Sequence, residues 1–335
     1  MPNTRRLRTV FAIVALGAVF TQAYSLDIVV NAGATLAGNA AALASFNRAA
    51  EKWEAIFSDN ITVTINADMA NMGGGGVIGA TSSVMLGASY NTIRNQMVAD
   101  AADEGASNAI VGFLPTAAQF TGTIPAGRSF SGNIVGTKAN LKAMGFTGLD
   151  GMFGAADANM TFNTQFAFHF GAGAPPGGQM DFETVVAHEI GHSLGFVSAV
   201  DAVAGGQNPI DIDALDLFRF ANNNLPTTNA EFTTKARNFV PGTAASFSDT
   251  ANNWGMSTVS DGRQASHWKS DELTGTYIGI MDPTLDFGVR EPITFADVRA
   301  FDLIGWDLQP VPEPATIAAL GLGAAALIRR KRNKK

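Results

Sequence analysis

The sequence predicts an α+β protein in which a sheet-and-helix half is followed by a loop-rich half. Three observations predict it. Short stretches alternate apolar and polar residues, other stretches repeat apolar residues every three to four positions, and after about residue 198 the composition shifts toward Asn, Thr, Ser and Gly. With 335 residues, 46% of them hydrophobic, the chain can bury a sizeable core as one large domain or two sub-domains.

The first predicted elements are two strands and two helices. Residues 27–31 and 61–66 are expected to be strands, the second because its isoleucine and valine residues alternate with Thr and Asn. Apolar residues between 46 and 56 recur at helical spacing, which predicts a helix there. A further helix is expected at about 89–97.

The central elements are a phenylalanine-rich strand and a capped helix. Residues 162–170 alternate Phe with polar residues, which predicts one strand with His169 on its polar face. A helix is expected from the N-cap residue Asp181 to the stop at Gly195. Residues 294–306 predict a capped closing helix.

Composition excludes several classes of site. The chain has no cysteine, so it has neither disulfides nor thiolate metal ligands, and a metal would be held by His and carboxylate. The net charge is −7, although nine of the 22 Lys and Arg residues lie at the two ends of the chain. The remaining 13 cations face 29 Asp and Glu, and a body this acidic repels phosphate backbones. We expect no nucleic-acid partner.

Residues 1–24 have the pattern of a secretory signal peptide. Arg5, Arg6 and Arg8 form a basic start, and an apolar stretch follows that is too short to span a bilayer comfortably. Small residues at Ala23 and Ser25 suit cleavage by signal peptidase. The body of the chain is therefore expected to work outside the cytoplasm.

Residues 309–335 form a second targeting segment. A Val311-Pro312-Glu313-Pro314 motif precedes an apolar run over 315–328 and a basic stop that begins at Arg329. This order resembles the PEP-CTERM sorting tail of Gram-negative bacteria. The resemblance implies processing by an exosortase-type enzyme, transient association with the membrane, and a secreted or cell-surface product. A permanent transmembrane anchor is the alternative, since the basic cluster would stay on the cytoplasmic side.

The predicted helix carries a metal-binding pattern. His188 and His192 are four residues apart, so both imidazoles project from nearly the same side and can hold one ion. Glu189 lies beside them and suits the role of general base toward water on the metal. This spacing is typical of zinc-dependent peptidases and predicts Zn²⁺.

A catalytic zinc normally has three protein ligands. The position at which a longer histidine motif would end is Ser198, a poor zinc ligand, so the third ligand must come from elsewhere. Only two other histidines exist, His169 and His267. The carboxylates that could serve instead are Asp201, Asp211, Asp213 and Asp216.

The pattern resembles the leishmanolysin-like branch of the metzincin metalloproteases, in which a long insertion precedes a distant third histidine and a methionine turn. The residues that carry the resemblance are His188, Glu189, His192, Gly195, Phe196, Ser266, His267, Trp268 and Met281. It implies that His267 is the third zinc ligand and that Met281 lies beneath the metal. It also implies one domain over 25–308, with sub-domains 25–197 and 198–308. The bracing cysteines of known members are absent, and no tyrosine closely follows Met281.

Together these features predict an exported zinc endopeptidase that hydrolyses extracellular polypeptides with Glu189 as general base. Two other functions stay open. One is a non-catalytic surface or matrix protein that keeps a metal for stability. The intact Glu189 argues against it, because a structural zinc site needs no general base. The other is a calcium-stabilised binding module that uses the acidic loop at 211–216, which lacks EF-hand spacing.

Overall fold

The computed structural model describes residues 25–102 and 104–310. The predicted signal peptide and residues 311–335 of the predicted sorting tail lie outside these ranges. The described chain is a mixture of helices and several sheets, which confirms the predicted α+β class.

The strands are short, and most have fewer than seven residues. In chain order they are β1 (Asp27–Ala32), β2 (Thr62–Ala70), β3 (Gly79–Ser83), β4 (Met85–Ser89), β5 (Gly122–Thr123), β6 (Phe130–Thr137), β7 (Ala158–Asn163), β8 (Phe168–His169), β9 (Met180–Asp181), β10 (Ile210–Asp213), β11 (Arg219–Ala221), β12 (Arg237–Asn238), β13 (Ala245–Ser248) and β14 (Asn253–Met256).

The two longest α-helices in the described ranges, α2 and α6, pack against each other. The α-helices are α1 (Ala34–Ala37), α2 (Ala40–Glu54), α3 (Tyr90–Asp100), α4 (Lys138–Ala143), α5 (Leu149–Phe153), α6 (Phe182–Leu194), α7 (Ala199–Ala204), α8 (Asn229–Thr234), α9 (Asp271–Thr274) and α10 (Phe295–Leu303). Two 3₁₀ segments cover Gly105–Phe113 and Leu215–Phe218.

The principal sheet has the order β1-β2-β7-β3, with β3 antiparallel at one edge and the other three strands parallel. A three-stranded sheet has the order β10-β6-β4, and a five-stranded sheet has the order β14-β13-β11-β12-β5. Strand β10 lies beyond residue 198 but pairs with β6, so one sheet crosses the boundary expected between the two sub-domains.

The predicted phenylalanine strand is wrong in its extent. Strand β7 ends at Asn163 because the chain turns over 164–166, and only Phe168 and His169 return to a strand. Asn163 stabilises that turn, since its Oδ1 accepts from the backbone N–H of Gln165. The rings still converge, because Phe162, Phe168 and Phe170 each pack within 5.1 Å of the Phe182 ring on α6.

Helix α6 is covered on almost every side. The predicted inward residues Val186, Ile190 and Leu194 are fully buried. Strand β3 packs on α6, and Trp53 of α2 donates its indole N–H to the carbonyl of Ala187 at 3.0 Å. The helix is therefore fixed between the principal sheet and the C-terminal half, and only its histidine side reaches solvent.

Candidate metal centre

The helix that carries the motif begins and ends as the sequence predicts. Asp181 is the N-cap, and its carboxylate accepts from the backbone N–H of Thr184 at 3.1 Å. Arg290 pairs with the same carboxylate at 2.6 and 2.9 Å. Gly195 ends the helix with φ 124°, a conformation that residues with a Cβ rarely adopt. These contacts fix both ends of α6 and so fix the histidines between them.

The structure brings together three histidines from two distant parts of the chain. The Nε2 atoms of His188 and His192 are 3.1 Å apart, and the Nε2 atom of His267 lies 3.2 Å from each of them. His267 arrives on the loop between β14 and α9, so the three donors form a nearly equilateral triangle.

In each ring the other nitrogen, Nδ1, forms a hydrogen bond with a backbone carbonyl. Nδ1 of His188 lies 2.7 Å from the carbonyl oxygen of Ile280, Nδ1 of His192 lies 2.8 Å from that of Phe196, and Nδ1 of His267 lies 3.2 Å from that of Gln264. A carbonyl oxygen only accepts, so each Nδ1 carries the proton and donates. Three unprotonated Nε2 lone pairs then face one another, an arrangement that is repulsive without a cation between them.

Burial keeps these rings uncharged. It lowers the pKa of His188 to about 3, with a smaller contribution from the neighbouring His192 ring. It also lowers the pKa of His192, and it lowers that of His267 well below the usual value. Neutral imidazole is the form that binds a metal. The three histidines can therefore bind an ion near neutral pH without first losing protons.

The donor geometry fits Zn²⁺. Two imidazole nitrogens at the usual Zn–N distance of about 2.0–2.1 Å from a tetrahedral ion lie about 3.3–3.4 Å apart. The observed separations of 3.1 and 3.2 Å are close to this value. Calcium and magnesium prefer oxygen ligands, whereas zinc binds neutral imidazole nitrogens readily. The hydrogen bond from each Nδ1 to a backbone carbonyl is also typical of histidines that bind a metal.

Two aspartates hold the segments on which the third histidine depends. Asp201 accepts from the backbone N–H groups of Ala265 and Ser266 at 2.7 and 3.1 Å, which fixes the loop just before His267. Asp297 of α10 accepts from the indole N–H of Trp268 at 2.8 Å and from the backbone N–H of Ile280 at 2.8 Å. Asp201 is thus engaged as an anchor of the His267 loop.

Met281 lies against α6. It is fully buried, and its sulfur is so close to Gly191 that a Cβ at that position would lie 2.3 Å from it. The backbone of Met281 accepts from the N–H of Trp268 at 2.9 Å, which links this segment to the His267 loop. An apolar side chain therefore packs beneath the turn of helix that carries His188 and His192.

Glu189 is held by a strand that the sequence analysis did not connect with the site. Thr81 of β3 donates its hydroxyl hydrogen to Oε2 of Glu189 at 2.7 Å. Burial raises the pKa of Glu189 to about 7, and the Thr81 hydrogen bond opposes that rise. Glu189 is 5% exposed and lines the same cleft as the three histidines.

The cleft above the histidines has a volume of about 820 Å³. Strand β3 forms one wall, α6 forms the floor, and the segments 262–267 and 280–285 form the opposite side. Such a volume lies within the range of substrate-binding clefts. All three histidines line this cleft.

The alternative carboxylate ligands do not join the histidine triangle, and Ser198 and His169 also lie outside it. Ser198 donates to the Asp216 carboxylate at 2.8 Å and caps α7. Asp211 accepts from Ser131 at 2.6 Å. Asp213 is buried on β10, where burial and the neighbouring Asp216 raise its pKa. His169 points to the carbonyl of Gly173 at 3.3 Å and does not line the cleft.

Sequence reasoning missed Thr81 and Asp297 as partners of the site. Neither has a local signal, because each acts through contacts with residues far along the chain, Thr81 on Glu189 and Asp297 on Trp268 and Ile280. The capping pattern Thr294–Asp297 does appear in the sequence, and the structure shows it as a reciprocal capping box. The capping box accounts for the contact of Asp297 with Thr294, but it does not predict the hydrogen bonds that Asp297 accepts from Trp268 and Ile280.

Comparison with known proteins identifies the C-terminal segment. A family model of the PEP-CTERM protein-sorting motif matches residues 310–332. No curated protein and no solved structure matches the chain. The match supports the predicted sorting tail, and it indicates recognition by an exosortase-type enzyme and an extracytoplasmic protein of a Gram-negative bacterium, secreted or at the cell surface. Within residues 25–102 and 104–310, no helix has the length and apolar character to cross a membrane.

Proposed function

We propose that the body of this protein is a zinc-dependent endopeptidase that hydrolyses extracellular polypeptides. One observation carries the proposal: three neutral Nε2 donors converge within 3.2 Å of one another beside a buried glutamate, at the floor of an open cleft. The sorting motif supports an extracytoplasmic location, where the substrates would be polypeptides outside the cytoplasm.

The three histidines would hold the ion. A bound zinc lowers the pKa of a coordinated water toward about 7 and polarises a carbonyl group. The carbonyl oxygens of Ile280, Phe196 and Gln264 orient the rings and increase the basicity of the Nε2 donors. Three neutral ligands leave the charge of the ion uncompensated, which favours its action as a Lewis acid.

Glu189 would move the proton. Its carboxylate can take a proton from the attacking water and release it to the departing amine, because its pKa near 7 lies close to the operating pH. The Thr81 hydroxyl holds one oxygen of this carboxylate in place, and that leaves the other oxygen for water. A divalent cation nearby would lower the pKa of Glu189 and favour the base form.

Strand β3 would position the substrate. It is an edge strand, since one side pairs with β7 and its residues line the cleft along their whole length. An extended peptide can add to such an edge through main-chain hydrogen bonds, which bind many sequences without preference for particular side chains. This geometry suits an endopeptidase because neither terminus of the substrate need be recognised.

The test is hydrolysis of casein and of a quenched fluorescent peptide mixture by the purified protein. We expect cleavage that stops with a chelator and returns with added zinc. Glu189→Gln should keep zinc but lose at least about 10²-fold in kcat. The matched control is Glu51→Gln on the exposed face of α2, which should cleave normally.

Two results would contradict the proposal. Near-normal cleavage by Glu189→Gln would remove this residue from the mechanism. Wild-type protein that binds zinc and gains thermal stability from it, but cleaves nothing in the mixture, would favour the non-catalytic metal-stabilised surface protein instead.

A further inference from the structure

One wall of the cleft carries a carboxylate that the proposed reaction does not use. Glu291 lines the cleft, and its backbone N–H donates to the hydroxyl of Thr184 at 3.1 Å. Thr184 lies one turn before His188 on α6, which is about 6 Å along the helix axis. The segment that carries Glu291 is therefore fixed close to the three histidines.

The carboxyl group of Glu291 has no partner among the described residues. Within residues 25–102 and 104–310, its side chain takes part in no hydrogen bond and no ion pair. The adjacent Arg290 is turned away, because its guanidinium is bound to Asp181 and to the carbonyl of Gly171. By contrast, Asp282 nearby is satisfied by the N–H groups of Asp271 and Thr284.

The surroundings of Glu291 are acidic. Burial raises its pKa to about 8, and the nearby carboxylates of Asp282, Asp271 and Asp286 add to the rise. A carboxyl group with such a pKa is largely protonated near neutral pH, and an incoming cation would favour its charged form and pair with it.

Apolar side chains also line the cleft. Val185 and Ile280 are buried, Leu285 is half-buried, and all three line the cleft with Glu291. A lysine or arginine side chain combines a flexible hydrocarbon stem with a charged end, so its stem can pack on such walls while its end meets a carboxylate. An acidic side chain would be repelled here.

We propose that Glu291 is a specificity-determining residue and that the cleft accepts a Lys or Arg side chain of the substrate on one side of the scissile bond. This inference rests on the proposed peptidase function. It names the substrate class as polypeptides with a basic residue at one fixed position relative to the cleaved bond.

The first test maps cleavage sites in a mixture of synthetic peptides by mass spectrometry. For the wild type we expect Lys and Arg to be enriched roughly tenfold over neutral residues at a single position. Glu291→Gln should keep cleavage but lose the enrichment, and Glu291→Lys should shift it toward Asp and Glu. The control is Glu51→Gln, which removes an exposed carboxylate that does not line the cleft.

The second test measures binding without hydrolysis. The Glu189→Gln variant is titrated with fluorescein-labelled peptides that carry one lysine, or norleucine, which keeps the four-carbon stem without the charge, at each position of an alanine–glycine sequence. We expect the lysine peptide to bind roughly tenfold more tightly at one position, and Glu291→Gln added to this variant should abolish the difference.

The outcomes separate the two proposals. An enrichment that persists in Glu291→Gln, or wild-type cleavage with no preference for basic residues, overturns the role of Glu291 and leaves the peptidase standing. Absence of cleavage by zinc-loaded wild type overturns the peptidase, and the binding titration then still decides the role of Glu291, since equal binding of both peptide sets refutes it.

Discussion

The sulfur of Met281 occupies the space that a side chain at Gly191 would need, since a Cβ there would lie 2.3 Å from it. Gly191 lies in the turn of α6 between His188 and His192, and Met281 follows Ile280, whose carbonyl orients His188. Helix α6 and the segment that carries Met281 therefore meet at Gly191, a residue without a side chain.

Replacing this glycine should damage both stability and the site. Gly191→Ala forces a methyl group into a buried contact, and overpacking of this kind costs about 1–3 kcal/mol. We also expect weaker zinc binding, because relief of the overlap moves Met281 or the histidine helix. The checks are thermal unfolding and zinc titration. Gly151→Ala in α5, where a Cβ meets nothing within 4 Å, is the control, and an equal response of the two variants would contradict the account.

Thr81 should matter for catalysis but not for metal content. Thr81→Val keeps the shape of the side chain but removes the 2.7 Å hydrogen bond to Glu189. Hydrogen bonds to charged groups contribute about 1.5–3 kcal/mol, so we expect kcat to fall about tenfold or more. Steady-state kinetics and zinc analysis check this. Thr81→Ser restores a hydroxyl and should recover most of the activity; a serine variant as poor as the valine variant would argue against the hydrogen bond.

Asp201 should influence zinc affinity from outside the triangle. Asp201→Ala removes the acceptors of the Ala265 and Ser266 N–H groups and so loosens the loop that carries His267. Supporting residues of this kind typically change metal affinity by about 10–100-fold. A competition titration with a chromophoric chelator measures the loss. Unchanged affinity would show that the His267 loop is held by other contacts.

Glu183 should make stability depend on pH. Burial raises its pKa, but hydrogen bonds from Lys52 and Arg48, at 2.6 and 2.8 Å, outweigh burial and lower the pKa below 4.5. A carboxyl with a lowered folded-state pKa stabilises the protein above its unfolded pKa of about 4.3, and this contribution is lost as the pH falls through the folded value.

Glu183→Gln should therefore cost about 1–2 kcal/mol at pH 7, a reduced figure because both cations are partly exposed, and the cost should shrink below about pH 4. Urea unfolding at several pH values measures it. Glu272→Gln, which breaks the exposed pair with Arg263, should cost under about 0.5 kcal/mol throughout. A pH-independent loss in Glu183→Gln would refute the electrostatic explanation.

Much of the fold follows from local patterns. The strands around 27–32 and 62–70 and the helices that begin at 90, 182 and 295 lie where periodicity and capping residues predict them. The strand expected at 162–170 fails because alternation of Phe with polar residues does not reveal the turn after Asn163. Periodicity reports which side of a segment is buried, and here the rings pack on Phe182 from both sides of a turn.

The candidate site was predictable only where its parts are adjacent in sequence. The spacing of His188 and His192 places them together on any helix, whereas the approach of His267 depends on a loop that Asp201 and Trp268 fix in three dimensions. A family resemblance indicated His267, and the structure places its Nε2 atom 3.2 Å from those of His188 and His192. Thr81 and Glu291 line the cleft from segments that are far from α6 in the sequence, so no local pattern links them to this helix.

The measurement that tests the central claim most directly is a zinc competition titration of the wild type beside His267→Ala. We expect one equivalent of zinc to bind tightly to the wild type, and the affinity of His267→Ala to fall by at least about 10²-fold because one of three donors is lost. Equal zinc affinity in the two proteins, or a wild type that binds no zinc, would contradict the proposed metal centre.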